Sequence, residues 1–273
     1  MPPCFFGDRV RLIHVLSIVL AQFSVGSLLM TSLLSPREIR LSFFTFNSLL
    51  SAVTAAIALM LTKLVLGSAW TDVRYLGLTV IGATIAYGSF YLEKPSLGRV
   101  FLILSALLGL IFGVLPMADK MLELRHIETS MPYLFSAGVL AGTLLLGATN
   151  VTMILGHWYL VMRRLSFEHL ERFSQILLAT VGLRILLLMF TLSMLSHSDP
   201  EAVNTFVPNL WSTGTNLFFF AMRVLWGLAL PLVLGLFVLR SVKEKANQAA
   251  TGLLYVIEIS VLFGELFAAY LMV

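Results

Sequence analysis

Apolar residues run along this chain in long blocks broken at charges, prolines and glycines. A bilayer core about 30 Å thick takes roughly 20 apolar residues per helical crossing, so each block of that length predicts a membrane-spanning helix. Eight such blocks occur, at 12–33, 41–66, 73–92, 98–118, 132–162, 169–195, 210–239 and 249–272. The longest gaps, 119–131 and 196–209, hold at most a short interfacial helix. The pattern therefore predicts an all-α, polytopic transmembrane helical bundle of about eight helices, a single integral membrane domain over 1–273.

Local signals refine the spans. Ser35, Pro36 and Glu38 have the spacing of a helix start, with Ser35 as N-cap, and separate the first span from the second. The fifth span would be about 46 Å long and must tilt or project from the bilayer. Pro231 predicts a kink in the seventh span and a freed backbone carbonyl. Arg9 and Arg11 precede the first span as in a secretory signal. That run is longer than a signal core and lacks a convincing small-residue cleavage site, so it is expected to remain as a helix.

Composition agrees with the blocks: 59% of residues are apolar and 12% charged, with a mean hydropathy of +0.95, far from the balance of soluble domains. The net charge of +4 is spread over short loops, with no basic patch for nucleic acid. Arg37, Arg40, Lys94, Arg99, Arg163, Arg164, Arg172, Arg240, Lys243 and Lys245 follow the odd-numbered spans. By the positive-inside rule those loops face the cytoplasm, which puts both termini outside, in a membrane of the bacterial inner type; Arg9 and Arg11 argue the other way. The lone Cys4 excludes an internal disulfide and multi-cysteine metal or iron–sulfur sites. No nucleotide fingerprint, HExxH motif or 20–50-residue repeat occurs. The sequon at Asn150 lies inside a predicted span and reads as accidental.

Charge inside hydrocarbon is expensive, so a residue that bears it faces the bundle and has a partner or a task. Arg184, Arg223, Glu258 and Glu265 qualify, all in the last three spans. A rise of 1.5 Å per residue places Arg184, Arg223 and Glu265 at a common height, about 24 Å from the cytoplasmic side, with Glu258 about 10 Å nearer it. Tyr255, Glu258, Leu262, Glu265 and Ala269 form one stripe expected to face protein. Two arginines against one glutamate leave a positive charge over, for an anionic ligand, another carboxylate or a headgroup. Asn150 and Asn216 are candidates to add neutral hydrogen bonds to this centre. Equally open is a structural role, in which the charges only lock helices together.

His157, in the stretch HWYLVMRR, reads first as part of an aromatic belt with Trp158 and Tyr159 ahead of positive-inside arginines. It is also a candidate for proton transfer, with Glu258, or for a quinone hydrogen bond. His14 with His197 is the least poor haem pair and His157 with His169 is geometrically worse, so bound haem is not expected. Gly138 and Gly142, and Gly109 and Gly113, form GxxxG pairs that predict packing seams, within the bundle or against another subunit.

The first expectation is an integral membrane subunit of a larger electron-transfer or energy-coupling complex. It would carry no covalent cofactor and hold a quinone or lipid at the Arg184, Arg223 and Glu265 centre, with Glu258 and His157 as a proton route. Its partners would be membrane lipids and other membrane subunits. The alternatives are a transporter or lipid-handling protein for an anionic substrate, against which the missing repeat counts, and a structural subunit without chemistry of its own.

Overall fold

The computed structural model describes residues 4–66, 70–116, 132–161, 167–198 and 214–272. Among them eight long helices follow in chain order: α1 Cys4–Ser32, α2 Leu41–Leu66, α3 Trp70–Tyr91, α4 Pro95–Leu108, α5 Pro132–Val161, α6 Glu168–Ser198, α7 from Gly214–Val224 to Leu230–Lys243, and α8 Asn247–Met272. A π-helical turn extends α4 over Gly109–Val114, and another, Leu225–Ala229, joins the two parts of α7. No strand occurs among the described residues, and the chain is an all-α helical bundle.

Seven of these helices are long and apolar enough to cross a membrane, one fewer than expected. The exception is α3, where Asp72, Arg74 and a run of Thr, Gly, Ser and Tyr dilute the apolar residues. It still lies in the same layer as its neighbours. Tyr75 stacks on Phe112 of α4 with ring centroids 4.7 Å apart, and Phe90 packs on Phe44 of α2 at 5.2 Å, so both ends of α3 are flanked.

α2 covers the expected 41–66, but Ser35 does not cap it. The Ser35 carbonyl accepts the Glu38 and Ile39 N–H groups, and its hydroxyl accepts from Arg37 N–H. This closes a separate turn, and the helix begins only at Leu41. Instead of reaching back to a cap, Glu38 lies 3.7 Å from His169 at the start of α6.

The helices form two groups with one neighbour order. Within α1–α4 each helix packs on the next and α4 returns to α1; α5–α8 repeat this arrangement. The groups meet chiefly along α1 and α5, which run parallel: Gln22 Nε2 donates to the Val139 carbonyl at 3.1 Å, and Asn150 Nδ2 to Ser27 Oγ at 2.8 Å. Between these bonds Gly26 meets Gly147, and a Cβ on either would collide with the other helix's backbone. Glycine is required here because two backbones in lipid gain their contact by close approach. A second such crossing, Gly227 against Gly264, joins the π turn of α7 to α8.

The carbonyl freed by Pro231 has a partner. The π turn shifts each acceptor one residue back, so that Leu230 N–H bonds to the Leu225 carbonyl. Pro231 has no N–H to continue the series to Trp226. Ser260 of α8 donates its hydroxyl to the Trp226 carbonyl in place of the missing group.

The basic residues Arg37, Arg40, Lys94, Arg99, Arg172, Arg240, Lys243 and Lys245 lie at one end of the bundle, called the basic end below. Asp119, Lys120, Glu123, Arg125, His126, Glu128, Arg163, Arg164, Asp199 and Glu201 lie outside the described residues.

Candidate functional site

Arg184 of α6 and Glu265 of α8 form a bidentate ion pair. Arg184 Nε donates to Oε1 at 2.9 Å and Nη2 to Oε2 at 2.7 Å. Both residues are nearly sealed from the surroundings, at 3% and 5% exposure, which is what makes the planar match matter. The remaining nitrogen, Nη1, donates to the Gly138 carbonyl of α5. Each nitrogen of this guanidinium is engaged, and three helices are tied at one point.

The floor of the pair is the GxxxG face of α5. A Cβ on Gly142 would lie 2.6 Å from Glu265 Oε2 and 3.4 Å from Arg184 Nη2, and one on Gly138 would lie 3.4 Å from Arg184 Nη1. These glycines were expected to be a seam between backbones. They instead make room for two charged side chains that reach in from α6 and α8. The other pair divides: a Cβ on Gly109 would meet Val25 and Thr79 at 2.6 and 2.8 Å, a true packing seam, whereas Gly113 faces open space.

Arg223 of α7 is partly buried and lies within electrostatic range of both Arg184 and Glu265. The antiparallel pairing of Gly227 with Gly264 brings it to the height of Glu265, as expected from the sequence. It makes no hydrogen bond or ion pair with the described residues beyond that range. One carboxylate thus faces two guanidinium groups, and the carboxylate is already occupied by Arg184.

Asn150 does not join this centre. Asn150 donates to Ser27 of α1, eight residues and so about 12 Å along α5 from Gly142. Its place follows from the parallel α1–α5 contact, which the charge pattern does not encode. Asn216 is partly buried two turns before Arg223 on α7, about 10 Å from it along the helix.

Glu258 is buried at 7% exposure, and its Oε2 has no hydrogen-bond partner among the described residues. It lies midway between two contacts of α8 with α5: Thr251 Oγ1 donates to the Gly156 carbonyl at 3.1 Å, and Glu265 sits over Gly142. That pairing puts Glu258 opposite Thr149. Of the stripe expected to face inward, Glu258, Glu265 and Ala269 are buried and Leu262 packs on the core. Tyr255, at its basic end, is 42% exposed.

The aromatic belt at 157–159 is not formed as expected. Trp158 turns into the bundle against Phe43 of α2, with ring centroids 5.8 Å apart and an edge-on geometry, and Tyr159 is buried. Consecutive residues on a helix are rotated by about 100°, so three neighbours cannot all face lipid. Only His157 is exposed, and its Nδ1 is 2.9 Å from the Tyr255 hydroxyl. His14, half of the least poor haem pair, is buried with neither ring nitrogen hydrogen-bonded among the described residues. The side chain of His197 lies outside the described residues. No group of three or more His, Cys, Asp or Glu residues suited to a metal ion occurs among them.

The sequence singled out the charged members of this site and missed their floor and ceiling: Gly138 and Gly142 beneath the ion pair, and Ser260 completing α7 one helical face away. The chain matches no protein-family model, and no curated protein is similar to it.

Proposed function

We propose that the chain is an integral membrane protein that holds an amphiphilic ligand with an anionic or strongly accepting head at Arg223, in the α5–α8 group. The observation that carries this reading is the surplus cation. Arg184 is neutralised and oriented by Glu265, whereas Arg223 is within range of the same carboxylate and bonded to neither of its oxygens. A guanidinium inside a membrane segment is costly without an anionic or accepting partner. An acidic lipid headgroup or a quinone carbonyl satisfies that need, and the rigid Arg184–Glu265 pair forms the adjoining wall. In this reading the basic end faces the cytoplasm and both termini lie outside.

The setting that fits such a site is a membrane subunit of an electron-transfer or energy-coupling complex that draws its redox centres from other membrane subunits. A carrier of anionic lipid or solute is the alternative, favoured by the matching neighbour order of the two four-helix groups, since parallel repeats are one architecture of transporters. The test compares wild type with Arg223→Gln, purified in mild detergent, for retained quinone and phosphatidylglycerol and for co-purifying chains. The site predicts that Arg223→Gln loses the bound amphiphile while its assembly and melting temperature stay those of wild type. Unchanged ligand content with lowered stability would make Arg223 a strut. Retained redox partners support the complex, and a solitary lipid-loaded protein supports the carrier.

A further inference from the structure

We propose that Glu258 is a proton-binding site in the α1–α5–α8 junction, loaded from the basic end through His157 and Tyr255. The inference stands apart from the ligand at Arg223, because it rests on different groups about two turns away.

Glu258 is more than nine-tenths buried, and Oε2 meets no donor among the described residues. Among the described residues no charged group faces it from the helices packed on α8. On α5 the level of Glu258 is that of Thr149, whose hydroxyl is spent on the Leu145 carbonyl, and the titratable residues of that helix on this side are His157 and Tyr159, the latter stacked on Phe167. On α1 no charged residue occurs between Arg11 and Arg37. On α7, the pairing of Trp226 with Ser260 and of Gly227 with Gly264 sets Glu258 opposite the residues after Ala229, uncharged as far as Arg240. Toward the other end, Arg184 and Glu265 lie about 10 Å off and are bonded to each other, with Arg223 at their height. A carboxylate in such a place bears its desolvation unrelieved. Uptake of a proton removes that charge, so the site is selective for a proton over a larger cation that would need several ligands.

The route is marked by the other polar contact on this face. Tyr255 lies one turn before Glu258, and its hydroxyl meets Nδ1 of the exposed His157. Tyr255 and Glu258 are three residues apart and so neighbours on one side of α8. Transfer then balances without electrons. His157 gains a proton at Nε2 from water and releases one from Nδ1 to the Tyr255 oxygen, while the Tyr255 hydroxyl proton passes to Glu258 through an intervening water. Imidazole is suited to this because its two nitrogens exchange roles near neutral pH.

The experiment is infrared difference spectroscopy of the full chain in phosphatidylcholine vesicles, titrated in pH, with and without 13C-labelled glutamate. Wild type is expected to show a carboxylic-acid C=O band that shifts with the label, titrates with pH and is absent in Glu258→Gln. In Tyr255→Phe and His157→Ala the band should remain while its exchange with D2O slows by about a hundredfold, the low end of the loss for a positioned proton-transfer group. The two relay variants leave the buried site untouched, so the test holds even if Glu258→Gln does not fold. Absence of a label-sensitive band, its persistence in Glu258→Gln, or unchanged exchange in both relay variants overturns the proposal. Arg223→Gln should leave the band intact, which separates failure of this site from failure of the ligand site.

Discussion

Replacing Gly142 by alanine tests whether the GxxxG face of α5 is a floor for an ion pair. In an ordinary helix the change is favourable by about 0.8–1 kcal/mol, because alanine is the better helix former. Here the new methyl group would lie 2.6 Å from Glu265 Oε2 and 3.2 Å from its Cδ. The carboxylate must move, yet it is held by two bonds to Arg184, whose third nitrogen is fixed to Gly138. Overpacking of this kind costs about 1–3 kcal/mol. Full loss of the pair, leaving a buried guanidinium alone, costs about 3–5 kcal/mol and sets the upper bound. The net expectation for Gly142→Ala is a loss of about 0–2 kcal/mol.

The control is Gly182→Ala, one helix away and two residues from Arg184, where an added Cβ meets nothing within 4 Å. That variant should gain stability by up to about 1 kcal/mol. Equilibrium unfolding in mixed micelles reads both, and a double-mutant cycle sharpens the result. In a Glu265→Ala background the clash has no partner, so Gly142→Ala should become neutral or favourable, with a coupling above about 0.5 kcal/mol. If Gly142→Ala matches Gly182→Ala in the wild-type background, or the cycle shows no coupling, the glycine is not making room for the pair.

Two further substitutions probe the joints around the site. Ser260→Ala strips the Trp226 carbonyl of its donor and should destabilise the protein by about 1–3 kcal/mol in mixed-micelle unfolding. Adding Pro231→Ala supplies the missing N–H and should recover most of that loss; no recovery would mean that Ser260 does not stand in for the backbone. Asn150→Leu removes the bond to Ser27 and should lower stability by about 0.6 kcal/mol, within the range for hydrogen bonds between membrane helices. Loss of ligand binding in that variant, with stability unchanged, would return Asn150 to the charge centre.

What was legible in the sequence is what the bilayer makes expensive. The cost of a charge in hydrocarbon singled out Arg184, Arg223, Glu258 and Glu265 without any knowledge of tertiary contacts, and the helical rise put three of them at one height. What was illegible depends on the face opposite. Gly138-x-x-x-Gly142 and Gly109-x-x-x-Gly113 are the same pattern, yet the first lies under an ion pair and the second divides between a packing contact and open space. Asn150 bears the same amide whether it meets a charge or the Ser27 hydroxyl, and only the parallel contact of α1 with α5 decides. His157, Trp158 and Tyr159 share an amphipathic composition, but helical rotation sends two of them inward. The matching neighbour order of the two groups is set by packing and leaves no periodic residue pattern to find.

The glycines connect these levels. In a membrane bundle the removal of a Cβ is commonly a means for two backbones to touch, as at Gly26 with Gly147 and Gly227 with Gly264. At Gly138 and Gly142 the same removal admits side chains, and it admits them where the backbone carbonyl of Gly138 is also exposed to a donor. A guanidinium has donors to spare after it binds a carboxylate bidentately, and an unshielded carbonyl takes one of them. Small residues on α5 therefore make a buried arginine tolerable in two ways, by supplying space and by supplying an acceptor. Arg223 of α7 donates to no carbonyl or carboxylate among the described residues. That contrast between two arginines at one height, one housed by glycine and glutamate and the other left over, is the physical reason to look for the ligand at Arg223 and not at Arg184.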